Sequence, residues 1–308
     1  MKILVIGELN PDLILQNYSG FPELGKEVTV EDCVLTMGSA TAICAMALRR
    51  LGDEVGFVSK VGVDTYGDFC TNILRNAGIE VSRVEHDPTT KTGITVSVSA
   101  ARDRALITYL GAMGVFDAHD VTPEYFDGYD HLHMSTYFLQ TSLRPNFARL
   151  LRQAKEKGLT TSLDPGFDPA ETWGKDIIET LKYADVFFPN EVELRGVTGE
   201  VDEELAVRCL ANGHTLTVAK LGARGCLTVF EGGTFKQRPF PVKPVDTTGA
   251  GDSFNAGFLH SWLRREPIDQ CLRFGAACGA ISTLASGGTG NQPTRAEALE
   301  FLRKRVDG

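Results

Sequence analysis

The run Asp246–Phe258, DTTGAGDSFNAGF, sets two glycines and an aspartate directly ahead of an apolar helical pattern. Phe254, Phe258 and Trp262, with Leu259 and Leu263 beside them, recur at three- and four-residue spacing, and Asp252 and Ser253 are residue types that cap a helix start. Gly249 and Gly251, flanking Ala250, admit backbone angles and close approaches that a side chain forbids. A glycine turn feeding a helix N-terminus leaves several N–H groups aimed at one point, which suits an anion. Asp252 inside that turn would repel a resting phosphate unless it accepts the proton of an attacking hydroxyl. Anion stabilisation and a base in one turn point to phosphoryl transfer to an alcohol. A plain cap on a glycine-rich loop is the alternative that a bare Gly-x-Gly-Asp leaves open.

The longer string is more specific. Over thirteen consecutive positions it closely resembles the C-terminal signature of the ribokinase-like (PfkB-type) carbohydrate kinases, and the chain has no GxxxxGK phosphate loop. The resemblance runs nearly the whole length. GELNPDLI at 7–14 is similar to the family's opening, which implies Asn10 and Asp12 as ligands of substrate hydroxyls. FPELGKEV at 21–28 and VGVDTYGDF at 61–69 resemble the next two landmarks. ADVFFPNEVELRGVTG at 184–199 resembles the Asn-x-x-Glu segment, implying Asn190 and Glu193 near magnesium and the phosphates. KLGARG at 220–225 looks like the loop bordering the nucleotide, with Lys220, Gly222 and Gly225. SGGTGNQP at 286–293 falls where the family closes around adenine and a monovalent cation, implying Gly287, Gly288 and Asn291 for the nucleotide and Asp246 and Thr248 for a potassium ion.

The resemblance therefore implies ATP and Mg2+, a small sugar-type substrate, the family's doubly wound α/β fold with a small β-lid, and a homodimer through that lid. The chain departs from the pattern in three places. The usual Gly-Gly-x-x-x-Asn reads GSATAI, so Gly38 is followed by Ser39, and Ile43 stands where an asparagine normally meets a sugar hydroxyl. DPGFDPAETW at 164–173 replaces Asp-x-Asn-x-Arg and loses the arginine. HMSTYFLQ at 133–140 offers Ser135 and Tyr137, not a carboxylate, as polar groups for substrate. These changes bear on which hydroxyl compound is phosphorylated, and a nucleoside acceptor stays open beside a sugar.

Other readings fare less well. His131 and His133 share a strand face, but no cysteine or carboxylate cluster completes a zinc site around them. VIGELNPD lacks the second and third glycines of a dinucleotide turn, which excludes a nicotinamide oxidoreductase of that type. A non-catalytic sugar-binding protein on the same fold would have no need of Asp252.

The elements that must position these groups are legible in outline. Ile3–Ile6 reads as a buried strand, Ala40–Leu51 and Asp68–Ala77 as helices, and Val55–Lys60 as the strand between them. Beyond residue 115, strands at His131–Met134, Thr160–Leu163, Val186–Phe188 and Leu216–Ala219 alternate with helical stretches, including Arg144–Lys157. That alternation predicts a mostly parallel sheet with helices on both faces. Val28–Leu35, Gly93–Ser99 and Ala105–Leu110, the last two joined by a turn at 101–104, have one polar face. They predict a small separate sheet, placing a lid at roughly 8–36 and 91–112 of a single domain spanning 1–308. With 43% hydrophobic and 23% charged residues the chain can build a sizeable core. A net charge of −9 without a like-charge block argues against nucleic acid or a membrane surface. Seven scattered cysteines, no Cys-x-x-Cys and no long apolar run predict reduced thiols in a cytoplasmic protein.

Overall fold

Ile3, Leu4, Val5 and Ile6 are all buried, Ile3 and Val5 in one apolar cluster and Leu4 and Ile6 in another. A strand whose alternate residues enter two cores must be covered on both faces. The computed structural model describes residues 1–16, 20, 23–99 and 104–305. Positions 17–19 and 21–22 of the expected lid, 101–103 of the expected turn and 306–308 of the domain lie outside the described residues. The elements are β1 (Lys2–Ile6), β2 (Pro11–Gln16), β3 (Asp32–Met37), α1 (Ala40–Leu51), β4 (Glu54–Gly62), α2 (Thr65–Asn76), β5 (Glu80–Asp87), β6 (Ile94–Ser99), β7 (Arg104–Tyr109) and α3 (Ala112–Val115). They continue with β8 (His131–Met134), α4 (Phe147–Glu156), β9 (Thr160–Leu163), α5 (Asp176–Leu181), β10 (Val186–Phe187), α6 (Glu191–Thr198) and α7 (Glu203–Cys209). The last are β11 (Leu216–Lys220), β12 (Cys226–Phe230), β13 (Gly233–Gln237), α8 (Ala250–Trp262), α9 (Ile268–Ser282) and α10 (Arg295–Arg303).

The main sheet has nine strands in the order β13-β12-β11-β10-β9-β8-β1-β4-β5. Neighbours from β5 to β11 are parallel, and β12 and β13 add an antiparallel edge. One apolar cluster packs α1, α8 and α9 on one face, and the other packs α4 and α5 on the opposite face. Helices α8 and α9 approach closely, since a Cβ on Gly257 would lie 2.8 Å from Cys278 Sγ. A second sheet, β3-β2-β6-β7, is mixed, with β2 and β6 parallel and both outer pairs antiparallel.

One expectation needs correction here. The strand expected at Val28–Leu35 lies at Asp32–Met37, and its partner β2 runs from Pro11 to Gln16. Proline is tolerated as the first residue of a strand, and Pro11 opens β2. Among the described residues no helix is long and apolar enough to cross a membrane. Cys44, Cys70, Cys226, Cys271 and Cys278 are buried free thiols, while Cys33 and Cys209 are exposed.

Candidate active site

The polar groups gather at one edge of the main sheet. Glu8 follows the C-terminal end of β1, Thr136 follows β8, Asp164 follows β9, Asn190 follows β10, and Lys220 closes β11. Strand order reverses direction at β1, whose neighbours β4 and β8 lie on opposite sides. In open α/β sheets a crevice forms at such a point outside the carboxyl ends of the strands.

Helix α8 delivers the glycine turn to this edge. Its N-cap is Gly249, at φ 70°, so the cap lies three residues before Asp252 and four before Ser253, the expected cap types. A left-handed residue there suits glycine, and a Cβ would press on Gly288 and Ile43 at 2.8 Å. Asp252 thus lies in the first helical turn and keeps partial exposure to the cleft. Burial and the negative charge of Asp164 raise its pKa well above the carboxylate range, with the Lys220 ammonium opposing. A base tuned upward accepts a proton more readily.

Lys220, Gly222, Gly225, Ala250 and Gly251 line a mostly apolar cavity of about 530 Å³. Further wall comes from 239–242 and Pro244 and from Phe254, Ala276, Gly279, Ala280 and Thr283. Sequence reasoning missed that wall. The segment 286–291, expected around adenine, lies on the other side of the turn. Gly287 packs against Thr36 of β3, and Gly288 against Ile43 and Gly249. Asn291 is also displaced from its expected place, because its Nδ2 donates to the Ile281 carbonyl at the end of α9 (2.7 Å), away from the cavity.

Opposite the cavity is a second group of side chains. Asn10, buried, donates to Thr95 Oγ1 of β6 (3.5 Å) and to the Pro11 carbonyl (3.3 Å). Asp12 rests against Gly38, where a Cβ would collide with its carboxylate. Ser39 Oγ donates to the Glu8 carbonyl (2.6 Å) and accepts from Ala42 N–H (3.1 Å), capping α1 from a φ of 67°. Ile43 is buried, and its carbonyl accepts from Gln292 Nε2 (2.8 Å). Tyr137 does not join this group. It packs edge-on against Phe147 and donates to Asp176 (2.8 Å), so packing under α4 and α5 wins over the cleft.

Two carboxylates here were quoted in sequence motifs but not singled out. Glu8 accepts from Thr41 N–H (3.2 Å), from Thr41 Oγ1 and from Thr136 Oγ1 (2.8 Å), and burial raises its pKa. Asp164 accepts from Lys220 Nζ (2.5 Å), Asn255 Nδ2 (2.6 Å) and Gly166 N–H (3.0 Å). Asp168, in place of the missing arginine, accepts N–H groups of Ala170, Thr172 and Trp173 and organises its own loop. No local pattern distinguishes Glu8 or Asp164 in the sequence, because their partners come from distant segments.

For metals, Glu193 caps its own helix, accepting from Asn190 N–H (2.8 Å) and Nδ2 (2.7 Å) while Asn190 Oδ1 accepts in return from Val192 and Glu193 N–H. Burial and the nearby Asp164 raise its pKa to about 8. Asp246 accepts from Thr248 N–H (2.9 Å) and Oγ1 (2.8 Å) and from Gly287 N–H (2.9 Å), stapling 286–291 to the turn. His131 and His133 instead share Ser162 Oγ, each at 2.7 Å. Among the described residues no cluster of three metal-ligating side chains occurs. A magnesium ion needs no such cage, since it keeps waters and substrate phosphates as ligands.

The sequence matches a known family over nearly its whole length. The model described as pfkB family carbohydrate kinase covers residues 1–295. This chain belongs to the pfkB family. It is a kinase of sugars or nucleosides, a phosphotransferase with an alcohol acceptor. A ribokinase from Haemophilus influenzae is 29% identical over 309 residues, spanning 97% of this chain and 98% of that one. An ATP-dependent ribose-1-phosphate kinase from Halopiger xanaduensis is 30% identical over 313 residues and the full length of both. A solved structure of Arabidopsis thaliana ribokinase with ribose and ATP has a TM-score of 0.84 at 23% identity, covering 98% of each chain. That likeness fixes the fold, a doubly wound parallel sheet with a small separate one.

Proposed function

We propose that this pfkB kinase transfers the γ-phosphoryl group of ATP to a hydroxyl of a neutral sugar or sugar-like molecule. The observation that carries the reading is the position of the 249–252 turn, between a 530 Å³ apolar cavity and a group of buried polar side chains. Adenine suits the apolar walls, and the triphosphate would extend past Gly222 and Gly225 towards Gly251. Asn10, Asp12, Gly38 and Ser39 would hold the acceptor against Ile43. Asp252 would accept the hydroxyl proton as the oxygen bonds to phosphorus, while the electrons of the breaking P–O bond leave on ADP. The N–H groups of Ala250 and Gly251 would meet charge on the transferring oxygens.

Carboxylates bias the choice of acceptor. Glu8, Asp12 and Asp252 surround that side, and their field disfavours a second anion at short range. A free sugar such as ribose or fructose, or a nucleoside, therefore suits the site better than a sugar phosphate. Ile43 favours an acceptor with no hydroxyl at that point. Mg2+, held through water by Glu193 and Asn190, would neutralise phosphate charge when bound. Potassium, held by Asp246 and carbonyls near Thr248 and 286–291, would offset the local acidic charge.

The test is ADP release over a panel of sugars, nucleosides and ribose 1-phosphate, with arms lacking Mg2+ or replacing K+ by a bulky organic cation. Turnover limited to neutral acceptors, lost without Mg2+ and slowed without K+, is expected. No acceptor-dependent release across the panel would sink the reading. Equal rates with the organic cation would remove potassium from it.

A further inference from the structure

Lys220 is charged and largely shielded in the cavity wall, and the nucleotide-loop resemblance leaves its task unexplained. Its side chain is 13% exposed and that of Asp164 is 6% exposed, with Nζ and Oδ2 2.5 Å apart. Burial works against the ammonium, but Asp164 and Glu193 hold its pKa above the usual value. A buried ion pair contributes little net stability by itself, because both partners lose their water. Asp164 is in turn fixed by two other donors, Asn255 Nδ2 at 2.6 Å and Gly166 N–H at 3.0 Å. Asn255 lies three residues beyond Asp252, hence on the same side of α8. The pair is therefore tied to the helix that carries the base.

The ammonium also has capacity to spare. A lysine has three N–H donors, and Asp164 is the one hydrogen-bond acceptor of Nζ among the described residues. Lys220 lines the cavity, and a Cβ on Gly251 would lie 3.5 Å from Nζ, so the cation borders the anion turn itself.

We infer that Lys220 is a catalytic cation that contacts the transferring phosphoryl group, and that Asp164 and Asn255 are positioning residues that hold it there. The inference rests on the kinase reading above. The acceptor oxygen forms a bond to the γ-phosphorus and loses its proton to Asp252. The bond to the β,γ-bridging oxygen breaks, and its electron pair leaves with ADP. Lys220 stays protonated throughout and donates hydrogen bonds to the oxygens that carry the charge. Asp164 keeps the ammonium from lying across the cavity before ATP arrives.

The experiment titrates ADP and the β,γ-methylene analogue of ATP into the wild-type protein and into Lys220→Met, Lys220→Arg and Asp164→Asn, with kcat and KM measured alongside. Lys220→Met should weaken the analogue by about tenfold or more, leave ADP within about threefold, and lower kcat by roughly 10²–10³. Lys220→Arg should recover part of the analogue affinity. Asp164→Asn should lower kcat by about tenfold with acceptor KM little changed, a split that general destabilisation does not produce. Should Lys220→Met fail to fold around an unpaired Asp164, the double variant Lys220→Met/Asp164→Asn removes both charges and is read in the same way. An unchanged ratio of analogue to ADP affinity in the folded variant overturns the inference while the kinase reading stands. A wild-type protein that binds neither nucleotide overturns both.

Discussion

A Cβ added at Gly249 would lie 2.8 Å from the Gly288 backbone, at a φ of 70°, whereas one at Gly251 would meet Lys220 Nζ at 3.5 Å, an ordinary contact. The fold needs the first glycine, and the second has room for a methyl group unless a phosphate approaches. Gly249→Ala should lower stability by about 1–3 kcal/mol through strain in the left-handed region. Gly251→Ala should unfold at the wild-type midpoint yet lose at least tenfold in kcat. Denaturation and turnover of both variants check this, and an active Gly251→Ala would detach the turn from phosphate binding. At Asp252 the raised pKa sets a sign. The base must be ionised, so activity falls as pH falls through a pKa lifted by burial and Asp164. Asp252→Asn should lower kcat by roughly 10²–10⁴ and erase that acid limb. A limb that persists in the variant, or a loss under threefold, would assign the proton to another group.

At the scale of elements, the parts legible in the sequence are those set by local residue type. The glycines, aspartate and apolar repeat of 246–258 identify the turn and its helix, and the strands from His131 to Lys220 follow from short apolar runs. What escaped depends on contacts between distant segments. Asp164 meets Lys220 56 residues away and Asn255 91 residues away, and neither pairing leaves a mark on local composition. Tyr137 resembled a site residue until Phe147 and Asp176 claimed it. Ser39 shows how a departure from a motif is accommodated at the start of α1. Its φ of 67° strains a non-glycine residue, but its Oγ caps Ala42 N–H and anchors to the Glu8 carbonyl. Ser39→Ala keeps the strain and loses the cap, whereas Ser39→Gly relieves the strain. The alanine variant should therefore be the less stable, by about 1 kcal/mol in chemical denaturation. The opposite order would mean that backbone strain is absent from the balance.

For the whole molecule, two features beyond the site set how it holds together. Leu106, Ile107 and Tyr109 on the edge strand β7 and Leu35 on β3 are exposed apolar groups on the small sheet. We propose that this sheet meets a second copy of the chain, so Ile107→Lys should convert a dimer into a monomer by light scattering. A wild-type monomer would remove that interface. The second feature is the line of hydrogen bonds from Thr160 through His131, Ser162 and His133 to Ser135 across paired strands β8 and β9. Burial holds both imidazoles neutral, with the His133 pKa down at about 4 and that of His131 also well below its usual value. Unfolded histidine takes a proton near pH 6.5, so between about 6.5 and 4 the unfolded chain binds protons that the folded sheet refuses. Stability should then drop by about 1.4 kcal/mol per pH unit for each such group, or roughly 3 kcal/mol for His133. Because these strands are the centre of the main sheet, the loss should appear as one cooperative shift of the whole unfolding curve. His133→Asn keeps a polar side chain but removes the titration, so it should flatten the slope across that window. Urea unfolding of both proteins from pH 7 to 4 provides the measurement, and equal slopes would mean that the central histidines do not govern acid sensitivity.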